Sequence, residues 1–109
     1  MNNIIEYRIK ENSWLAKLAA WRLGSENMAM VIGHTIHLYK SSRLDFLRNQ
    51  SWVNHELCHI RQYQERGIIG FLWAYTLETI RNGYSRNRFE LEAIEAESRP
   101  MPDAREIRS

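Results

Sequence analysis

The sequence contains a single cysteine, Cys58, among 109 residues. No disulfide can form within the chain, which excludes the stapled secreted mini-protein class. No apolar run approaches the ~18–20 residues needed to span a bilayer. The first ten residues, MNNIIEYRIK, lack the apolar stretch of a secretory signal, so a cytoplasmic location is the expectation. Lysine is scarce, at 3 against 12 arginines, and the formal net charge is only +2. Glu90, Glu92, Glu95 and Glu97 follow closely on Arg81, Arg86 and Arg88, so no clean basic stripe develops. Such interleaving predicts a solvated, ion-paired face and no nucleic-acid partner. Internal repeats and low-complexity tracts are absent.

What remains suits a small globule. The length allows one domain, and 44% apolar residues are enough for a core. Residues 13–23, SWLAKLAAWRL, place Trp14, Leu15, Leu18, Ala19 and Trp21 at near-helical spacing between a Ser13 cap and a Gly24 stop. With eleven residues and two cations, the tract is expected to pack on the domain's own core rather than lie on a membrane. Residues 28–40, MAMVIGHTIHLYK, are β-branched and read as one long or two short strands about Gly33. Thr35, His37 and Tyr39 alternate with Ile36, Leu38 and Lys40, which predicts one wet face. A helix follows from Asn49 or Ser51 to about Arg66, stopped by Gly67, with Trp52, Val53, Leu57, Ile60 and Gln64 facing inward. The next helix, about 68–82, is apolar nearly all round and is expected to be central, ending at Gly83. A last helix over 87–98 is closed by Pro100 and Pro102, ahead of a polar tail to Ser109.

Residues 55–59 read HELCH, an HExxH motif. On a helix, positions i and i+4 share a face, so two imidazoles can reach one Zn²⁺ at about 2.0–2.1 Å. Glu56 sits about 100° around the helix, beside the metal without ligating it. From there it can take a proton from a water and pass it to a leaving amine. A catalytic zinc needs a third protein ligand. The extended HExxHxxGxxH pattern fails, because Gln62 occupies its glycine position and Glu65 its last histidine; without a turn, Glu65 points away. His34 and His37 are three apart on a strand, on opposite faces, and cannot jointly hold one ion. The segment RFELEAIEAE offers carboxylates instead, and spacing alone does not choose among Glu90, Glu92, Glu95 and Glu97. Glu90 also fits the last position of a capping box opened by Asn87. Cys58 lies inside the motif on the side away from the metal and reads as a small core residue.

HELCHIRQYQERG, followed some thirty residues later by FELEA, resembles the gluzincin metallopeptidases, most of all the small single-domain minigluzincin type. The resemblance covers about residues 28–97. It implies a minimal metallopeptidase over residues 1–109, with a catalytic core over 28–97 and zinc held by His55, His59 and Glu90, Glu92 being the reserve. Glu56 is then the general base and acid, and Tyr84 a donor to the developing oxyanion. The substrate is a peptide or protein bound along an edge strand at Thr35, Ile36 and His37. Such small enzymes are also known as latent forms, which would put the N-terminal helix or the tail from Arg99 over the cleft. The sequence departs from the family at Ile94, where an aspartate commonly orients a histidine. That departure leaves a second expectation, a zinc-binding or vestigial protein-interaction module without turnover. The expected fold is α+β: a small, twisted, largely antiparallel sheet packed on three or four helices, zincin-like, with an active-site helix, a glutamate helix and the metal between them.

Overall fold

The computed structural model describes residues 4–108; Met1–Asn3 and Ser109, the ends of the expected single domain and of its tail, lie outside the described residues. The chain runs β1 (Ile5–Lys10), α1 (Trp14–Leu23), β2 (Met28–Ile32), β3 (Thr35–Tyr39), α2 (Arg43–Arg48), α3 (Gln50–Arg66), α4 (Ile68–Asn82), a short 3₁₀ turn (Tyr84–Arg86), α5 (Arg88–Ala96) and β4 (Ala104–Glu106). The class is α+β, as expected. The four strands form one open sheet in the order β2-β3-β1-β4.

The sheet is mixed rather than largely antiparallel. β2 and β3 form an antiparallel hairpin, with Ile32 opposite Thr35 across a turn opened by Gly33 at φ +63°. β1 pairs parallel with both β3 and β4. Parallel pairing demands a crossover, and α1 provides it between β1 and the hairpin. β1 obeys strict alternation. Ile5 and Tyr7 are buried, and Glu6, Arg8 and Lys10 are exposed.

On one face of the sheet, Ile5, Tyr7, Val31, Ile36 and Leu38 join Val53, Leu57 and Ile60 of α3 in the core. Asn49 caps α3 by accepting from the Trp52 amide, and Gly67 ends it at φ +76°. Tyr63 rather than the expected Gln64 completes the inner face, its hydroxyl donating to the Val31 carbonyl at 3.0 Å. The other face of the sheet is not wet at His37. Ser13 accepts from the Ala16 amide as the cap of α1, and its hydroxyl shares a 2.8 Å hydrogen bond with His37 Nδ1. Burial, helped by the charge of Lys10, holds His37 below its ordinary pKa.

Two helices differ from expectation in how they pack. α1 buries only Ala16 and Ala20, and leaves Trp14, Leu18 and Trp21 outside. α4 is peripheral rather than central and fully buries Phe71 alone. No described helix is long and apolar enough to cross a membrane. The tail after Pro102 is part of the sheet, for β4 pairs with β1 on the edge opposite β2. Arg43, at the start of α2, clamps it by donating from Nε to Glu106 Oε2 at 2.8 Å and from a terminal nitrogen to Oε1 at 2.5 Å.

α2 brings Phe46 fully inside, edge-on to Trp52 with ring centroids 5.1 Å apart. Phe46→Ala should therefore cost about 3–5 kcal/mol in denaturant unfolding. A loss below ~1 kcal/mol would place this helix outside the core.

Candidate metal centre

The HExxH segment lies in mid-α3, and its two imidazoles converge on one carboxylate from α5. Glu90 Oε1 accepts from His55 Nε2 at 3.1 Å and from His59 Nε2 at 3.3 Å. One ligand atom from each of the three residues lies within 4.8 Å of the others, close enough to hold a single metal ion. A tetrahedral ion with bonds of about 2.05 Å places its ligand atoms about 3.3 Å apart. The two nitrogen–oxygen separations lie close to that value, so the group could hold a metal ion.

The outward ring nitrogens are held as well, by residues that sequence reasoning did not assign to this task. His55 Nδ1 donates to Glu97 Oε2 at 2.8 Å. His59 Nδ1 donates to Gln62 Oε1 at 2.8 Å. The Gln62 amide is itself oriented, because its nitrogen donates to Glu92 Oε1 at 2.7 Å and to the Phe89 carbonyl at 3.1 Å. Such partners fix the ring orientation and raise ligand basicity. Glu97 and Gln62 thus supply the acceptors left open by Ile94. Glu92 belongs to this outer layer and is not among the three ligands. Gln62 was legible as one helical turn beyond Cys58 and three residues from His59, a spacing that lets side chains meet.

The carboxylate of Glu90 is anchored a third time, by the Tyr75 hydroxyl donating to Oε2 at 2.5 Å. Asn87 holds α5 against α4: it caps the helix by accepting from the Phe89 amide at 2.8 Å, and its side-chain nitrogen donates to Thr79 Oγ1 at 2.9 Å. Glu90 consequently turns to the histidines, not back to Asn87 as a capping box would have it.

Burial by itself would lower the pKa of His55, but Glu90, Glu56 and Glu97 outweigh it and raise the pKa to about 9. His59 is likewise raised against its burial, by Glu90 and Glu56. Burial pushes Glu90 up, yet the hydrogen bonds from His55, His59 and Tyr75 hold its carboxyl far below the ordinary range. Glu56 is 5% exposed and its pKa is raised to about 7 by burial, against the pull of both histidines. A cation among the ligands would draw it back toward the ionised form.

Glu56, Tyr84 and the three ligands line one cleft of about 350 Å³. Tyr84 is half-exposed, and its hydroxyl is pushed up to about 12 by partial burial and by Glu90 and Glu56, so it keeps its proton. The cleft's strand is β2, from Met28 to Ile32, and not the segment named from sequence. Thr35, Ile36 and His37 lie on β3, an interior strand paired on both sides, with Ile36 in the core. They offer no free edge; β2 does. His34 turns away, its Nδ1 donating to the Glu6 carbonyl at 2.9 Å. Cys58 is half-buried on the far side of α3, in a groove with Glu65 and Glu92, and burial and Glu92 push its thiol up to about 12. That groove also takes Arg99, Pro100 and Pro102 from the tail, whereas Ala19 and Leu23 of α1 border the cleft.

Compared with protein-family models, curated proteins and solved structures, the chain matches none.

Two measurements follow from this geometry. Both imidazoles give protons to acceptors on each side in the metal-free site, and a metal must displace the protons on Nε2. Zinc uptake near neutral pH should release about two protons from the imidazoles, with a further contribution from Glu56, read by calorimetry in buffers of different ionisation enthalpy. Apparent affinity should weaken as pH falls below about 9, the raised pKa of His55, because protons then compete. Uptake without proton release would contradict this protonation pattern. Separately, Glu97→Ala leaves all three ligands in place and should weaken zinc binding roughly 10–100-fold; unchanged affinity would remove Glu97 from the centre.

Proposed function

We propose that the protein is a zinc-dependent metallopeptidase of gluzincin type. The observation that carries this reading is the convergence of His55, His59 and Glu90 beside the buried carboxylate of Glu56 in one cleft. His55, His59 and Glu90 would hold the ion, leaving a fourth position open. Zinc bound there supplies a Lewis acid that makes water nucleophilic near neutral pH and polarises a carbonyl. Glu56, with a pKa about 7 before the cation's pull, takes the proton of the attacking water and delivers it to the departing amine. Tyr84, protonated and on the cleft wall, donates to the oxygen that gains negative charge. Tyr75 is a positioning residue, fixing the second oxygen of Glu90.

A peptide substrate fits the edge of β2, whose backbone is free on the side away from β3 among the described residues. Added as a further strand, it would run past the ligands, which share the cleft with Met28–Ile32.

Glu56→Gln should abolish cleavage of a peptide library while zinc content stays at one per chain. His55→Ala should lose the metal and the activity together. Cleavage that survives both substitutions would exclude the mechanism. Full zinc loading of the parent protein with no cleavage of any library would instead assign the centre to a non-catalytic zinc-binding module.

A further inference from the structure

The surroundings of the metal centre change along β2. The cleft already described is largely apolar, bordered by Met30, Ile32, Phe71 and Leu72. At the Met28 end a second groove of about 630 Å³ opens, with Ser25, Asn27, Asn49, Trp52 and Glu97 on its walls. The two share Met28, Ala29, His55, Glu56 and Tyr84, so they meet at the HExxH carboxylate. A peptide laid along β2 therefore has an apolar cleft on one side of Glu56 and a polar groove on the other.

The polar groove holds carboxylates and no lysine or arginine. Glu97 stands on its wall with its side chain 38% exposed. Its Oε2 accepts from His55 Nδ1 at 2.8 Å, and its Oε1 has no hydrogen-bond partner among the described residues. Glu56 is the second carboxylate. The chain has 15 lysines and arginines, yet none borders either the cleft or the groove. Arg22 and Arg48 adjoin Leu23 and Asn49 in sequence and still lie off the wall. Trp52 adds an aromatic ring, half-buried and packed edge-on against Phe46. Ser25 and Asn27 are exposed, and their side chains make no hydrogen bond among the described residues.

We propose that this groove is a subsite for a cationic side chain of the substrate, arginine above all, recognised by Glu97 and Trp52. The proposal rests on the peptidase reading for its substrate and names the residue read on one side of the scissile bond. The free oxygen of Glu97 accepts a guanidinium N–H as a charge-assisted hydrogen bond. The Trp52 ring suits the planar guanidinium, which stacks on aromatic faces. Ser25 and Asn27 supply uncharged acceptors for its remaining donors. An acidic side chain in the same place meets two carboxylates and no lysine or arginine, which rejects it. Glu97 thus has two tasks: one oxygen orients His55 and the other reads the substrate.

The probe is a set of capped alanine–leucine octapeptides in which one arginine or one norleucine is moved from position to position. Their binding to the zinc-saturated Glu56→Gln protein is the readout, and it needs no turnover. At one position arginine should bind at least about tenfold tighter than norleucine. Glu97→Gln should bring that ratio below about threefold, and so should Asn27→Lys, at an exposed loop position where folding is not at stake. Taking the ratio within each protein at saturating zinc cancels any loss of metal affinity. Arginine no better than norleucine at every position, no binding of any peptide, or a ratio indifferent to both substitutions would overturn the proposal. Cleavage of the same peptides by the parent protein separates the two readings. Cleavage without preference for arginine removes the subsite and leaves the peptidase; selective binding of arginine peptides without cleavage removes the peptidase and leaves the subsite.

Discussion

One carboxylate oxygen organises this structure. Glu90 Oε1 lies at hydrogen-bond distance from both HExxH imidazoles, and through it α5 is tied to the middle of α3. Charges taken out of water are costly unless paired, and here His55, His59 and Glu90 are paired with one another. Each imidazole has acceptors on both sides, and Glu90 has donors on both oxygens. Among the described residues, no buried side-chain nitrogen or oxygen lacks a partner. Arrangements of this kind withstand removal of one member poorly, because the survivors are left buried and unpaired.

The rest of the molecule serves to hold those groups still. His55, His59 and Glu90 stand on helices rather than loops, α3 is fixed by its core face against the sheet, and α5 is fixed to α4 through Asn87. α4 in turn delivers Tyr75 to Glu90. The peripheral helix thus reaches the centre with one hydroxyl, although it buries little else. The hairpin sets the second boundary, placing β2 on the sheet edge that shares the cleft with His55, His59 and Glu90.

Much of this was legible in the sequence, and what was not has physical reasons. The i, i+4 spacing of His55 and His59 and their neighbour Glu56 follow from helix geometry alone, and the caps at Ser13, Asn49 and Asn87 from local hydrogen bonding. β1 is legible in the sequence, since Ile5, Tyr7 and Ile9 alternate with Glu6, Arg8 and Lys10 in plain period two. β4 was not legible, since three residues after two prolines carry no period and the strand exists only because β1 offers an edge. The apolar girth of α4 indicated that the helix favours cover, not where cover would come from, hence its misplacement at the centre. The edge strand was misassigned because strand order depends on the parallel pairing of β1 with β3, a long-range contact that no local pattern encodes. Glu97 meets His55 across forty-two residues for the same reason.

Anomalous diffraction at the zinc absorption edge, from crystals of the zinc-loaded chain, tests the central claim most directly. The account predicts one strong peak at about 2.0–2.2 Å from His55 Nε2, His59 Nε2 and a Glu90 carboxylate oxygen. A peak held by any other set of side chains, or no peak on these three, would contradict it.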